Sequence, residues 1–222
     1  KNSFSLIKEA RCKPLVMKRL DKEILVPRGG GRSNVQDKKV LIIGCGSLGG
    51  FVGDMRGSNN SPVYFKKSKD GIIKIDSHAI TQLNKHLQID NITPESGGVL
   101  LGRYIIQSSD VVVDRVTTPS KFDIQSRFHF FRSFFFHQTI INRVWNNSRG
   151  RFNYLGEWHS HPEPDPTPSH VDLGDWIRRL KHDTFDSDSL FFVIVGTKKI
   201  NVWEGKKSNR KITKLHMRRF KI

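Results

Sequence analysis

Cysteine is scarce in this chain: Cys12 and Cys45 are the only two in 222 residues. Two thiols build no disulfide framework, so a reducing cytoplasm is the expected compartment. Long apolar runs are missing as well. None approaches the roughly 20 residues that a membrane span requires. The opening "KNSFSLIKEARCKP" has no apolar block ahead of a small-residue cleavage site, so no secretory signal is expected. Acidic residues are outnumbered, 21 against 38 Lys and Arg, giving a net charge of +17. Such a surface attracts nucleic acid or an acidic protein, but charge alone specifies neither. No internal repeat is visible. What remains is 36% hydrophobic residues at a mean hydropathy of −0.47, a soluble composition that can still bury a core.

The chain divides near residue 54. Residues 1–54 are charged and Gly-rich at "PRGGGRSN", then reach "KKVLIIGCGSLGG". Val40 to Ile43 reads as a buried-type strand, and Gly44, Gly46 and Gly49 follow in G-x-G-x-x-G spacing. A loop of that kind lets backbone approach a phosphate at a helix N-terminus. The expected helix, "FVGDMRGSNNSP", breaks at once into Gly, Ser, Asn and Pro. "KVLIIGCGSLGG" resembles the opening of ThiF-like and ubiquitin-activating adenylation domains, over about a dozen residues. Residues 1–54 are therefore expected to be a partial Rossmann-like, ThiF-like fragment or fusion segment.

Residues 55–222 are regularly organised. "PVYFKK" and "GIIKI" read as a hairpin around "SKDG". "SHAITQLNKHL" reads as a helix capped by Ser77, with Ile80, Leu83 and Leu87 on one face. "GGVLLGRYII" and "DVVVDRVT" read as paired strands, and "HFFRSFFFHQTIINRVWNN" as one long aromatic core helix. "FNYLGEWHSH" reads as a strand. "SHVDLGDWIRRLKH" reads as a helix, with Leu173, Trp176, Ile177 and Leu180 at apolar spacing. "LFFVIVG", "INVWEG" and "KITKLHM" close the series as strands. The expected fold is α/β: a mixed sheet flanked by helices, with several antiparallel hairpins. The stretch "KKSNRKITKLHMRRFKI" has eight Lys or Arg and no acid. It reads either as a strip for phosphates or a partner, or as a solvated edge strand guarded by its charges.

The densest chemistry lies in "HSHPEPDPTPSHVD", residues 159–172. Alternation on a strand turns His159 and His161 to one side, where two imidazoles can grip one metal ion. Ser169 is placed to cap the following helix, and Asp172 falls in its first turn. From there the Asp172 carboxylate can lean back as a third ligand. Two His and one carboxylate with an open fourth position is a catalytic zinc arrangement, not a structural one. The prolines stiffen the link and lower the entropy cost of assembling it. The plain alternative for Ser169 and Asp172 is a helix cap alone.

H-S-H-P followed by S-x-x-D resembles the JAMM (JAB/MPN) metalloprotease motif at every defined position. Upstream, "ESGGVLLG" resembles that family's E-x-x-G-x-L-x-G segment, with Gly97 where a Cys is common. The likeness covers about residues 62–204 and is greatest to prokaryotic JAB peptidases found beside ThiF-like and ubiquitin-conjugating enzymes. It implies a JAB/MPN-like fold. It implies Zn²⁺ on His159, His161 and Asp172, Glu95 as general base, and Ser169 as the group stabilising the oxyanion. Alternation alone would admit Glu157 as the base, since it precedes His159 by two; the resemblance favours Glu95.

The resemblance further implies a zinc isopeptidase or peptidase cutting after the C-terminal glycine of a ubiquitin-like or conjugated protein. Its setting would be a CBASS-type anti-phage system, with a ThiF-like activating enzyme as a possible partner. Two other readings stand beside it. A RadC-type, nucleic-acid-associated JAB protein suits the charge. An inactive MPN scaffold would be expected to have lost ligands that are all present here.

Overall fold

The computed structural model describes residues 61–218. The expected ThiF-like fragment at residues 1–54, with both cysteines and the G-x-G-x-x-G glycines, lies outside the described residues. Among the described residues, eleven strands and three helices follow in chain order. They are β1 Val63–Lys66, β2 Ile72–Ile75, α1 Ser77–Asn84, β3 Gly97–Tyr104, β4 Val111–Val116, β5 Ile124–Ser126 and β6 His129–Phe131. Then come α2 Phe134–Asn147, β7 Asn153–Ser160, α3 His170–His182, β8 Ser189–Val195, β9 Ile200–Lys206, β10 Ile212–Lys214 and β11 His216–Met217. Nine strands form one mixed sheet in the order β10-β9-β8-β7-β3-β4-β2-β1-β11, and β5 pairs with β6 alone.

The central strands explain the layering. Along β3, Leu100 joins one apolar cluster while Val99 and Leu101 join the other. Along β8, Phe191, Val193 and Val195 face the first cluster, and Leu190, Phe192 and Ile194 the second. A strand buried on both faces needs apolar residues throughout, which is why "LFFVIV" lacks polar alternation. Helix α1 covers the first face with Ala79, Ile80 and Leu83. Helices α2 and α3 cover the second with Ile141, Trp176 and Leu180. Trp176 stacks on Phe192 at 4.6 Å between centroids and 9° between planes, fixing α3 to the sheet.

The mixed α/β sheet matches the expectation, with local differences. Two pairings are parallel, β2 with β4 and β7 with β8, each spanned by a crossover that contains a helix. The cap of α1 is Asp76, not Ser77: its carboxylate accepts the His78 N–H at 3.3 Å. The long aromatic helix is shorter than expected. His129–Phe131 form β6 of a hairpin, and the helix starts at Phe134. Phe128, Phe131 and Phe135 are exposed rather than core. "KITKLHM" is also not one strand. It breaks at buried Leu215 into β10, on one end of the sheet order, and β11, on the other. Ile212–Lys214 pairs with β9, with Ile212 and Thr213 half-buried and Lys214 exposed.

Candidate metal centre

The site forms where β7 ends, β3 begins and α3 starts. Antiparallel pairing of β3 with β7 sets Gly97 opposite His159. The ladder continues one step beyond, where the Ser160 N–H donates to the Ser96 carbonyl at 2.8 Å. Glu95 is thereby carried to the His pair. The link from His161 to α3 lies along the β8–β9 turn: the Thr197 and Lys198 N–H groups donate to the Glu163 and Pro164 carbonyls. The Asn201 amide donates to Asp165 at 2.7 Å and to the Pro166 carbonyl at 2.8 Å. Ser169 then caps α3 in a capping box. Its hydroxyl accepts the Asp172 N–H at 3.2 Å, and Asp172 Oδ2 accepts the Ser169 N–H at 2.7 Å.

These supports bring the donors together. His159 Nε2 and His161 Nε2 are 3.1 Å apart. Asp172 Oδ1 is 3.4 Å from His159 Nε2, and Asp172 Oδ2 is 3.6 Å from His161 Nε2. One ligand atom each from Glu95, His159 and His161 also fall within 4.8 Å of one another. Donors about 2.1 Å from a tetrahedral divalent ion lie roughly 3.4 Å apart, and the separations here, measured to a different Asp172 oxygen for each histidine, are of that size. His161 Nδ1 faces Glu163 Oε2 at 3.3 Å, a contact that turns Nε2 toward the cluster.

Charges are tuned by this crowding. Burial raises the Glu95 carboxyl to about 7, an effect the Asp172 charge augments and the His159 charge opposes. Burial works against a charged His159, but its bond and charge pairing with Asp172 prevail, and its pKa is raised. His161 is lowered, by burial and then by the neighbouring His159. Burial would raise Asp172, yet its bond to His159, that cation's charge and the Ser169 bonds hold it well below the usual range.

Glu157 shares a sheet face with His159, as alternation requires, but lies one pleat deeper under α3. There Arg132 reaches it at 2.6 Å and Arg179 at 2.9 Å, and the Tyr154 hydroxyl at 3.3 Å. Burial would raise its pKa, but the two guanidiniums hold it down to about 2. A carboxylate committed in this way is a poor proton acceptor, which argues against Glu157 as the base. The Ser169 hydroxyl is also engaged, donating to Asp172 Oδ2 at 2.7 Å. Gly97 has a packing reason: a Cβ there would collide with the Phe130 ring of β6. The sequence reading missed the partners behind the site. Arg132, Arg179 and Asp183 meet Glu157 or Tyr154 only through the fold. Gln88, buried beside Ser160, carries no motif either.

At one strand end the mixed sheet thus brings together two imidazoles and the buried Glu95, a group compatible with a bound metal ion, with the Asp172 carboxylate beside the histidines. The family model for prokaryotic homologs of the JAB domain matches residues 78–207, and the chain belongs to that family. It is similar to a CD-NTase/cGAS isopeptidase of Vibrio cholerae, 37% identical over 149 residues, which are 67% of this chain and 90% of the relative. A protein of the same name from Escherichia coli is 31% identical over 157 residues, 71% of this chain and 96% of that one. Another, from Pseudomonas aeruginosa, is 32% identical over 125 residues, 56% of this chain and 77% of the relative.

Proposed function

We propose that the chain is a zinc-dependent isopeptidase that hydrolyses the bond after the C-terminal glycine of a ubiquitin-like or conjugated protein. In this reading it reverses a conjugation made by a ThiF-like activating enzyme in a CBASS-type defence system. Family membership and the names of its relatives support the reaction class. The observation that carries the reading is the convergence of His159, His161 and Asp172 donors at 3.1 to 3.6 Å, with Glu95 beside them.

His159, His161 and Asp172 would hold the ion, which when bound supplies Lewis-acid polarisation of water and of the scissile carbonyl. Glu95 takes the proton of the attacking water at its carboxylate and returns it to the leaving amine. Its raised pKa of about 7 suits a group that must accept and release a proton near neutral pH. The Ser169 hydroxyl donates to the oxyanion that develops on the carbonyl. Its proton must then turn from Asp172 Oδ2, a rotation about one bond. That rotation leaves the Ser169 oxygen accepting the Asp172 N–H.

The test pairs elemental analysis with cleavage of a target carrying a C-terminal fusion or conjugate. One zinc per chain and cleavage are expected for the wild type. Glu95→Gln should keep the metal and lose cleavage, and His159→Ala should lose both. A wild-type chain that binds no zinc after refolding with it would overturn the ligand assignment. Cleavage that survives in Glu95→Gln would remove Glu95 as the base.

A further inference from the structure

Glu95 reaches the His pair through the β3–β7 ladder, yet its segment is also held from two sides by a side chain outside every motif. Gln88 follows α1 and is 2% exposed. Its amide nitrogen donates to the Arg127 carbonyl at 2.9 Å and to the Thr93 carbonyl at 3.2 Å. Arg127 sits in the turn of the β5–β6 hairpin, and Thr93 lies two residues before Glu95. The Gln88 amide oxygen faces the Ser160 hydroxyl at 3.4 Å. Ser160 is fully buried between His159 and His161, and its oxygen accepts the Ser96 N–H at 3.0 Å. The Glu95 N–H donates to the Ser126 carbonyl of the same hairpin at 2.8 Å.

These bonds form a closed circuit. Gln88 grips the hairpin turn and the approach to Glu95 with its donors. With its acceptor it orients the hydroxyl that holds Ser96. The bonds account for both amide hydrogens of Gln88 and for the Ser160 proton, and a fully satisfied buried network specifies one arrangement. The histidines depend on it less. His159 is secured by the β3 and β8 ladders, and the His161 N–H donates to the Val195 carbonyl.

We propose that Gln88 is a positioning residue: acting through Ser160 and the β5–β6 hairpin, it sets the Glu95 carboxylate against the His pair. The catalytic consequence rests on the isopeptidase reading above; the structural claim does not. An apolar isostere, Gln88→Met, leaves the Arg127 and Thr93 carbonyls and the Ser160 hydroxyl without this partner. Glu95 then loses its fixed distance to the cluster, while the ligand set on β7 and α3 keeps its own supports. Small misplacements of a reacting group cost as much as roughly a hundred-fold in rate.

The experiment is amide hydrogen exchange on the metal-free chain, beside metal affinity and steady-state kinetics. In Gln88→Met, the Glu95 and Ser96 amides should exchange at least about ten times faster, while the Trp158 and His159 amides keep wild-type rates. Metal affinity, measured by chelator competition, should stay within about three-fold, and kcat should fall roughly ten- to a hundred-fold with little change in KM. A residue serving stability alone would speed exchange across the sheet and leave kcat intact. Ser160→Ala removes only the hydroxyl and should release the Ser96 amide in the same way, so it decides the matter if Gln88→Met does not fold. Unchanged Glu95 and Ser96 exchange in the folded variants overturns the proposal whatever the activity. A wild-type chain that cleaves no conjugate defeats the isopeptidase reading instead, and the exchange rates still decide the role of Gln88.

Discussion

Glu157 and His159 stand two residues apart on one strand face, yet their surroundings give them unlike tasks. The deeper residue meets Arg132 and Arg179 and stays ionised. The outer one meets Asp172 at the strand end. Glu157→Gln leaves two buried guanidiniums short of a counter-charge, and breaking such a pair costs about 3–5 kcal/mol. Urea unfolding should show that loss, while the folded variant keeps metal and cleavage; a folded variant without activity would count against this assignment. His137 makes a second residue-scale prediction. Nε2 of His137 faces the Asp123 carboxylate at 3.3 Å, so in the neutral ring Nε2 carries the proton and Nδ1 accepts from the Thr117 hydroxyl at 2.6 Å, whose oxygen accepts the Val99 N–H at 2.8 Å. Burial first, then the Arg132 charge, lowers the His137 pKa to about 4 against the opposing pull of Asp123. The unfolded chain, with His near 6.5, binds the proton first. The stability from a neutral His137 is therefore complete above pH 6.5 and is lost as pH falls toward 4. It amounts to about 3 kcal/mol. Stability measured between pH 7 and 4 should fall less steeply in His137→Gln than in the wild type. The candidate ligand residues were legible in the sequence because their spacing and chemistry lie within fourteen residues. The partners of Glu157 and His137 were not, because each comes from a different element.

At the scale of elements, local signals decided where one strand or helix dominates. Helix α3 was legible from its cap and apolar spacing, and it runs from His170 to His182 with Ser169 as cap. Only Ile177 departs, being partly exposed while Trp176 and Leu180 are buried. "HFFRSFFF" gave no such signal. An aromatic run suits a strand or a buried helix equally, and the choice came from β5, which pairs Ile124 with Phe131. Strand β7 hides another feature. Gly156 has φ of 140° at the register shift between β3 and β7, and a Cβ there would collide with the Phe191 carbonyl of the parallel β8. The backbone conformation and the contact both exclude a side chain. The shift sits one residue before Glu157 and three before His159, so it helps set which side chains reach the strand end. Gly156→Ala should cost more than about 4 kcal/mol and yield little soluble protein. If it folds at all, its metal affinity should drop, because His159 follows on the same strand. A stable variant with wild-type affinity would show that β7 tolerates a regular ladder here.

For the whole molecule, the strand order has two ends, β10 and β11, that are neighbours in the chain with only Leu215 between them. An open sheet would hold its ends far apart, so the sheet must curl until they meet. Leu215 makes the join. It is 4% exposed, belongs to the cluster containing Phe65, Ile73, Val193 and Val202, and its N–H donates to the Val202 carbonyl at 2.8 Å. A second tie closes the same seam. The buried Glu204 carboxylate on β9 accepts the Ser68 N–H at 2.8 Å and the Ser68 hydroxyl at 2.5 Å, from the β1–β2 turn. Lys206 lies 3.0 Å from it. Burial would raise its pKa, but these bonds hold it down to about 2. No periodicity in "KITKLHM" could show that one residue joins opposite edges, since that is a property of closure. The candidate site lies away from the seam, on β3, β7 and α3. Leu215→Ala should therefore cost about 2–5 kcal/mol, as deletion of a buried Leu does. Amide exchange should quicken first in β1, β10 and β11, while metal affinity and cleavage at 25 °C match the wild type. If metal affinity fell in step with stability, the seam and the site would be one cooperative unit, and the centre would depend on closure of the whole sheet rather than on its three central elements.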